Sequence, residues 1–237
     1  MNQTELETFY LWIDKAHTPP MNMALDEALL SQANILSACI LRFYDWNRKS
    51  MSIGYIQRYA DTFRAEYELV RRPTGGGVVF HDIDLTYTVV IPTGHWIEML
   101  SREKSYFLIH KIIIKALATL GLESELVDHS HIIKDRMNMQ CFTSPARFDV
   151  SSQKDGITSK IAGAAQRRTK LGILHQGSIV LEDMNNKKKV VREKITKAFE
   201  SELKACFNEF KLNKPFLLRA RKLAKEKYST DLWNKTR

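Results

Sequence analysis

Arg71-Arg72-Pro73-Thr74-Gly75-Gly76-Gly77-Val78-Val79-Phe80-His81-Asp82 makes a poor helix and a poor plain strand, and that conflict organises the reading of the whole chain. Glycine loses more backbone entropy on ordering than any other residue, and here three stand in a row between a basic, proline-stiffened entry and a β-branched exit. Such a stretch is kept ordered by close approach of its backbone to a ligand, with unhindered N–H groups turned toward a phosphate or an oxyanion. Arg71 and Arg72 are expected to place positive charge at the mouth of the loop. His81 and Asp82 add two groups able to act on protons or hold a substrate. The alternative is a glycine-rich hairpin turn with a solvated arginine pair. Neither the Walker A spacing nor G-x-G-x-x-G is present, which excludes an ordinary P-loop or Rossmann loop.

Outward from this loop the pattern alternates between strand and helix. On the amino-terminal side Phe9 to Ile13 reads as a strand, followed by a turn through Pro19-Pro20. Asn22 is placed to cap a helix over Met23 to Ser31 that buries Ala24, Leu25, Ala28 and Leu29. Asp26 and Glu27 would then stand in the first turn, where the helix dipole favours acids. Ile40 to Tyr44 and Met51 to Tyr55 read as strands, and a short helix around Ala60 to Tyr67 leads into the glycines. Beyond them Leu85 to Ile91 is a β-branched and aromatic strand stopped by Pro92. Ser105 to Leu120 is the clearest helix, with Ile109, Ile112, Ile113, Ala116, Leu117 and Leu120 at helical spacing and Gly121 at its end. Sheet returns as Arg147 to Ser151, Lys160 to Gln166 and Gly172 to Leu181, and Val190 to Phe210 and Pro215 to Tyr228 read as two tail helices.

With 237 residues, 44% of them hydrophobic and 27% charged, the chain can build one sizeable core, which excludes a disordered or membrane-embedded class. No apolar run approaches a bilayer span and the N-terminus lacks the order of a signal peptide, so a cytoplasmic location and no membrane partner are expected. Cys39, Cys141 and Cys206 are odd in number and widely spaced, which argues against a disulfide framework and against a metal site. The net charge of +9 belongs to the tail: residues 187–237 carry 16 Lys+Arg against 6 Asp+Glu. The expected organisation is a catalytic domain over residues 1–186 and a basic helical segment over 187–237 packed on it. Such a tail attracts nucleic acid or an acidic protein surface, or is simply a solvated helix face. With no aromatic-basic motif beside it, nucleic acid is not the expected partner.

Two residues stand out for chemistry. Cys141 lies in Cys141-Phe142-Thr143-Ser144-Pro145, a loop-like context, whereas Cys39 sits among apolar strand residues and Cys206 in a helical stripe. A loop position leaves a thiol within reach of substrate, and the thiolate is the nucleophile; a buried structural thiol is the alternative. Lys160 precedes the small-residue run Ile161-Ala162-Gly163-Ala164-Ala165, where little bulk lets a ligand approach the backbone. A lysine beside a reacting carbonyl stabilises developing negative charge or lowers the pKa of a nearby thiol, while most lysines merely solvate a surface. His175-Gln176-Gly177-Ser178 opens or interrupts the last strand, as part of a site or as a bulge.

Together these stretches resemble the lipoate-protein ligase and octanoyltransferase family, relatives of the biotin-protein ligases. Asn22 to Glu27 resembles its first helix and Ser52-Ile53-Gly54-Tyr55-Ile56-Gln57 its second signature. The glycine stretch through His81-Asp82 is similar to the family loop, and Lys160 to Gln166 to the segment bearing its essential lysine. His175 to Ile179 and Lys227 to Asn234 extend the resemblance over nearly the whole chain. Leu85 to Val89 and Cys141 to Pro145 resemble the LipM-type octanoyltransferases in particular. Two features depart from that branch: LipM-type enzymes often carry Gly-Gly-Arg where this chain has Gly75-Gly76-Gly77, and Ala146 to Asp149 is as similar to the Arg-Asn-Asp segment of ligases.

The resemblance implies an α+β fold, a mixed β-sheet flanked by helices of the biotin/lipoate ligase and class II synthetase kind. It implies Cys141 as a nucleophile that accepts an acyl group as a thioester and Lys160 as the group that holds the acyl carbonyl. Arg71, Arg72, Thr74, Gly75, Gly76, Gly77, His81, Asp82, Gly163, His175 and Gly177 would surround the substrate, with Val79 and Ile161 along the acyl chain. The implied reaction moves an octanoyl or lipoyl group from an acyl carrier protein to a lysine of a lipoyl domain, in a 2-oxoacid dehydrogenase or the glycine cleavage H protein, without a cofactor. The ligase branch implies instead ATP and Mg, lipoyl-AMP as intermediate, and a structural Cys141.

Overall fold

The computed structural model describes residues 6–59, 64–128, 147–154 and 157–236, so Cys141 and its neighbours lie outside the described residues. Within them the chain runs β1 (Glu7–His17), α1 (Pro19–Leu36), β2 (Cys39–Trp46), β3 (Ser50–Ile53), β4 (Glu68–Arg71), β5 (Val79–His81) and β6 (Leu85–Pro92). There follow α2 (Trp96–Met99), α3 (Arg102–Ala118), β7 (Glu125–Leu126), β8 (Val150–Lys154), β9 (Ile157–Thr169) and β10 (Gly172–Ile179). The tail holds α4 (Met184–Leu203), β11 (Ala205–Glu209), α5 (Lys214–Leu223), a π-helical turn (Ala224–Tyr228) and α6 (Asp231–Lys235).

Among the described residues, eight strands form a mixed sheet in the order β11-β1-β2-β6-β10-β9-β8-β7, and three form a small sheet in the order β4-β3-β5. β1 pairs parallel with β2 and β11, and the pairs from β2 across to β7 are antiparallel. Helices cover both faces, which is why β6 and β10 are buried along their whole length. The larger core sets Ile109, Ile113 and Leu117 of α3 and Val191, Ile195 and Phe199 of α4 against Leu85, Tyr87 and Val89. The other core sets Leu25, Ala28 and Leu29 of α1 with Phe216 and Ala220 of α5 against Trp12, Ile40, Val90 and Leu174. Among the described residues no helix is long and apolar enough to cross a membrane.

Local expectations failed in four places. Pro19 and Pro20 begin α1 instead of turning the chain, because the first helical turn has no use for their missing N–H groups. Asn22 therefore stands inside the helix and buried, its amide on the Asp45 carbonyl (3.0 Å), and Asp26 falls in the second turn as a partner of Arg42. The helix expected over 190–210 ends at Leu203; Lys204 adopts φ 51° and Ala205–Glu209 becomes an edge strand on β1. Phe207 mimics a helical stripe in sequence, but an open sheet edge and an edge-on contact with Phe9 (5.6 Å) win. Of the helix expected over 60–67, the described residues 64–67 form a turn closed by Tyr67 N–H on the Arg64 carbonyl (3.0 Å). The strand expected over 147–151 begins only at Val150, after Phe148 at φ 69°.

Candidate active site

Strand register builds the floor of the site. Gly163 of β9 pairs with Ser178 of β10, Ser178 with Thr86 of β6, and Thr86 with Tyr44 of β2, so the four stand in one row across the sheet. All four line a slot whose roof is Ser52 and Arg72 with Val79 and His81 of the small sheet, and whose side is Met23 of α1. Its empty volume is about 420 Å³, mouth included, and it opens at Ala164 and Ala165 into a wider cleft bordered by Gly75, Gly76, Arg102, Tyr106 and Arg147. The neighbouring row is Ala165, Gln176, Thr88 and Arg42; its Ala165 and Gln176 also line the slot, and Asp26 of α1 reaches down onto it. Asp26 there accepts hydrogen bonds from Gln176 Nε2 (2.7 Å), Thr88 (2.8 Å), Tyr44 (3.0 Å) and Arg42 (2.5 Å).

Lys160 stands behind Gly163. A Cβ on Gly163 would lie 2.4 Å from Lys160 Cε and 2.6 Å from Nζ, so glycine is the residue that makes room for this lysine. The ammonium is 3% exposed and pairs with Asp149 Oδ2 at 2.7 Å, a carboxylate 1% exposed. A buried lysine needs such a partner, since removing a lone charge from water is costly. Tyr106 of α3 holds Asp149 in turn, donating to Oδ1 at 2.6 Å, while its oxygen receives the Ala164 N–H at 3.1 Å. Carboxylate, lysine and small-residue strand are thus locked to one tyrosine.

The glycine loop joins β4 to β5, and the structure corrects the placement of its arginines. Arg71 is fully buried and donates to the carbonyls of Gly54 (3.0 Å), Gln57 (2.6 Å), Trp233 (3.0 Å) and Asn234 (2.9 Å), so it ties the loop to the chain's last helix instead of facing a mouth. Arg72 lines the slot, yet its guanidinium donates to Ser52 (2.9 Å), Gly75 (2.7 Å) and Gly77 (2.5 Å) carbonyls. These carbonyls are drawn inward; among the described residues the N–H groups of Gly75, Gly76 and Gly77 donate to nothing within the protein. Gly76 needs φ +84°, and Gly54 must be glycine because a Cβ there would fall 2.0 Å from the Gly76 carbonyl oxygen. Thr74 is buried, its hydroxyl on Gln176 Oε1 at 2.7 Å.

His81 lies in the slot roof with Nε2 on Ser52 Oγ (2.8 Å) and Nδ1 on Asp84 Oδ2 (2.9 Å), its ring stacked on Trp46. Asp82 points away to an exposed bond with Tyr67 (2.6 Å) and does not join the site. Val79 lines the slot, whereas Ile161 packs against the larger core. Gly177 lines the slot through its backbone, where a Cβ would strike the Tyr87 ring at 2.2 Å. His175 is on the opposite face of β10, fully buried with His110 (ring centroids 5.6 Å) and Tyr106 (5.5 Å). Burial pushes His110 down to about 4 and His175 well below the ordinary histidine value, so both are neutral.

Of the residues named from sequence, Gly163, Gly177, Arg72 and His81 line the slot, Gly75 and Gly76 border the wider cleft, and Lys160 stands behind Gly163; Asp149, Tyr106, Trp46, Thr86 and Ser178 had not been singled out. A faint signal was present: Thr86 and Thr88 on β6, and Gln176 and Ser178 on β10, repeat at period two inside fully buried strands, which marks one polar face.

With this geometry in place, comparison with known proteins is informative. Residues 18–208 match the lipoyl protein ligase A/B catalytic domain. The chain belongs to this family. It is 32% identical to an octanoyltransferase LipM of Halalkalibacterium halodurans, over 91% of this chain and 94% of that one. It is also 32% identical to the octanoyltransferase LipM of Bacillus subtilis, over 91% and 83% of the two chains. In fold it is similar to a lipoate-protein ligase A solved with ATP, with TM-score 0.77 and 23% identity over 96% of this chain and 98% of that one. The same TM-score, 0.77 at 22% identity over 96% of both chains, is found for the bi-partite lipoate protein ligase of Thermoplasma acidophilum, solved in a study that includes its E2 lipoyl domain. The expected architecture, a mixed sheet flanked by helices, is the family's and is the one observed.

Proposed function

We propose that the chain transfers an octanoyl or lipoyl group from a carrier-protein thioester to a lysine of a lipoyl domain, by way of a thioester on Cys141. The observation that carries this reading is the buried Lys160–Asp149 pair at the Gly163 end of a slot lined by Met23, Tyr44, Trp46 and Val79. Relatives at 32% identity over most of their length are octanoyltransferases, which supports transfer over other reactions of the family.

The Cys141 sulfur attacks the acyl carbonyl carbon and the carrier thiolate leaves; the acceptor amine then attacks the new thioester, and its proton neutralises the departing Cys141 thiolate. Two easier steps replace one difficult one. In each, negative charge grows on the carbonyl oxygen, and Lys160, paired with and oriented by Asp149, stabilises it together with the glycine N–H groups, which donate to nothing among the described residues. Acyl chain carbons gain by leaving water for the slot. The reaction needs no ATP or metal, and it is placed in the cytoplasm. The segment 187–237 is built into the catalytic unit, with α4 in the larger core and β11 in the main sheet, and the exposed lysines of α4 offer charge to an acidic acceptor domain.

A second reading, ATP-dependent ligation of lipoate with Mg, is favoured by the wider cleft, where Gly75, Gly76, Arg102 and Arg147 form an anion-binding border beside the slot. Intact-mass measurement separates the two. An octanoyl increment on the chain after mixing with octanoyl-carrier protein, absent from Cys141→Ser, is the expected result. Lipoyl-AMP formed from lipoate and Mg-ATP, with no increment in the first mixture, would move the assignment to ligation.

A further inference from the structure

We propose that Trp46, clamped by Thr86 and His81, is the stop that sets the length of acyl chain the slot accepts; this rests on the transfer reading above. The register row gives the slot a direction. It starts at Gly163, where Lys160 waits for the carbonyl, and passes Ser178 and Thr86 to Tyr44. Three strand spacings make that path about 14 Å. An extended octanoyl chain, seven C–C bonds of about 1.5 Å in zigzag, covers roughly 9 Å. Its terminal methyl therefore comes up to Thr86, two strand spacings or about 10 Å from Gly163.

A wall meets it there. Trp46 follows Tyr44 by two residues on β2, hence on the same face, and lines the slot with it. The indole Nε1 donates to Thr86 Oγ1 at 2.8 Å, and the ring stacks on His81 with centroids 4.0 Å apart and planes 19° from parallel. Both clamps are fixed by one carboxylate: Asp84 Oδ2 accepts from His81 Nδ1 (2.9 Å), Thr86 Oγ1 (2.8 Å) and Ser178 Oγ (2.7 Å). Ser52 Oγ, itself held by Arg72 (3.2 Å), fixes the far nitrogen of His81 at 2.8 Å. Burial works against the charge of Asp84, but His81 and the two hydroxyls outweigh it and hold the carboxyl below its ordinary range. A longer chain must displace a ring held by a hydrogen bond and a stack. Moving the ring also breaks its bond to Thr86 and its stack on His81, both of which Asp84 holds, a poor exchange for a methylene. Carbons up to the wall gain about fourfold each in affinity; carbons beyond it gain nothing and dislodge the wall.

The test is the ratio of kcat/KM on dodecanoyl-carrier to octanoyl-carrier protein, measured on the full chain. Wild type is expected to favour octanoyl by about tenfold or more. Trp46→Ala raises the dodecanoyl-to-octanoyl ratio by about tenfold while lowering the octanoyl rate. Thr86→Val, which deletes the hydroxyl that links the indole to Asp84 and keeps the shape, raises the ratio a few-fold. Trp46→Leu replaces the alanine variant if circular dichroism shows the latter unfolded. A folded variant with the wild-type ratio overturns the proposal. If wild type transfers no acyl chain at all, the transfer reading is what has failed, and calorimetric binding of octanoate and dodecanoate then reads the stop directly. Dodecanoate gaining on octanoate in Trp46→Ala supports it, and an unchanged preference sinks it.

Discussion

At the Gly163 end of the slot bulk is missing and charge is close; at the Trp46 end bulk fills the space and the charge is set one layer back. The first end draws its parts from three elements, Tyr106 of α3, Asp149 before β8 and Lys160 of β9, and brings a buried ammonium to the backbone of a glycine. The second draws Trp46, His81, Thr86 and Ser178 from four strands and joins them through Asp84, which faces none of the slot itself. Both ends bury a carboxylate, for opposite purposes. Asp149 pairs with the lysine to which we assign the acyl carbonyl, whereas Asp84 holds the residues around an aromatic wall. The difference teaches that burial of charge marks chemistry only where the charged group borders space for a substrate.

The largest effect should come from breaking the first end. Lys160→Met keeps most of the side-chain volume and removes the charge; transfer should fall by about a thousandfold, the loss typical of an oxyanion donor. It also strands Asp149, at an expected cost of about 3–5 kcal/mol in unfolding free energy. Adding Asp149→Asn relieves the stranded charge. The double variant should recover most of the lost stability by chemical denaturation and none of the activity. Recovery of both together would mean that Lys160 only supports the fold.

A smaller effect tests the missing bulk. Gly163→Ala places a methyl 2.4 Å from Lys160 Cε, and because the far end of a lysine can swing aside, the fold should survive with a shift of the ammonium. Transfer is expected to drop by about ten- to a hundredfold through misplacement of the stabilising charge. Unfolding midpoints should move little. An undiminished rate would place the carbonyl elsewhere along the row.

How much of this was legible beforehand follows from what is local. The glycine loop, Lys160 and the helix ending near Gly121 announce themselves through composition, spacing and resemblance, which need no knowledge of neighbours in space. The row from Gly163 to Tyr44 cannot be read that way, because it exists only once four strands settle into register. Arg71 and Arg72 misled for the same reason. A basic pair beside glycines suggests an anion, but the carbonyls that claim them belong to Ser52, Gly54, Gln57 and Trp233, one of them more than 160 positions away. Pro19-Pro20 shows the limit even of local signals: the same two prolines suit a turn or a helix start, and packing of α1 on the sheet decides.

Acid should expose the smallest asymmetry. Beneath the Gly163 end, His110 and His175 are neutral in the folded state; His110 donates Nδ1–H to the Phe148 carbonyl at 2.6 Å, and burial, outweighing nearby Asp149, lowers its pKa to about 4. An unfolded histidine titrates near 6.5. Above that pH neither state binds the proton and the pair has no effect on stability. As pH falls from about 6.5 toward 4 the unfolded chain takes up protons that the folded one refuses, so stability is lost in that window. Each such histidine removes at most about 1.4 kcal/mol per pH unit, roughly 3 kcal/mol for the full gap of His110. Urea midpoints measured between pH 7.5 and 4.5 should therefore fall steadily below pH 6.5. In His110→Phe the slope over the same window should be shallower, at the cost of an unpaired Phe148 carbonyl that lowers stability equally at all pH values. A parallel pair of curves would show that the acid sensitivity lies elsewhere and that the floor behind Lys160 is no softer than the wall at Trp46.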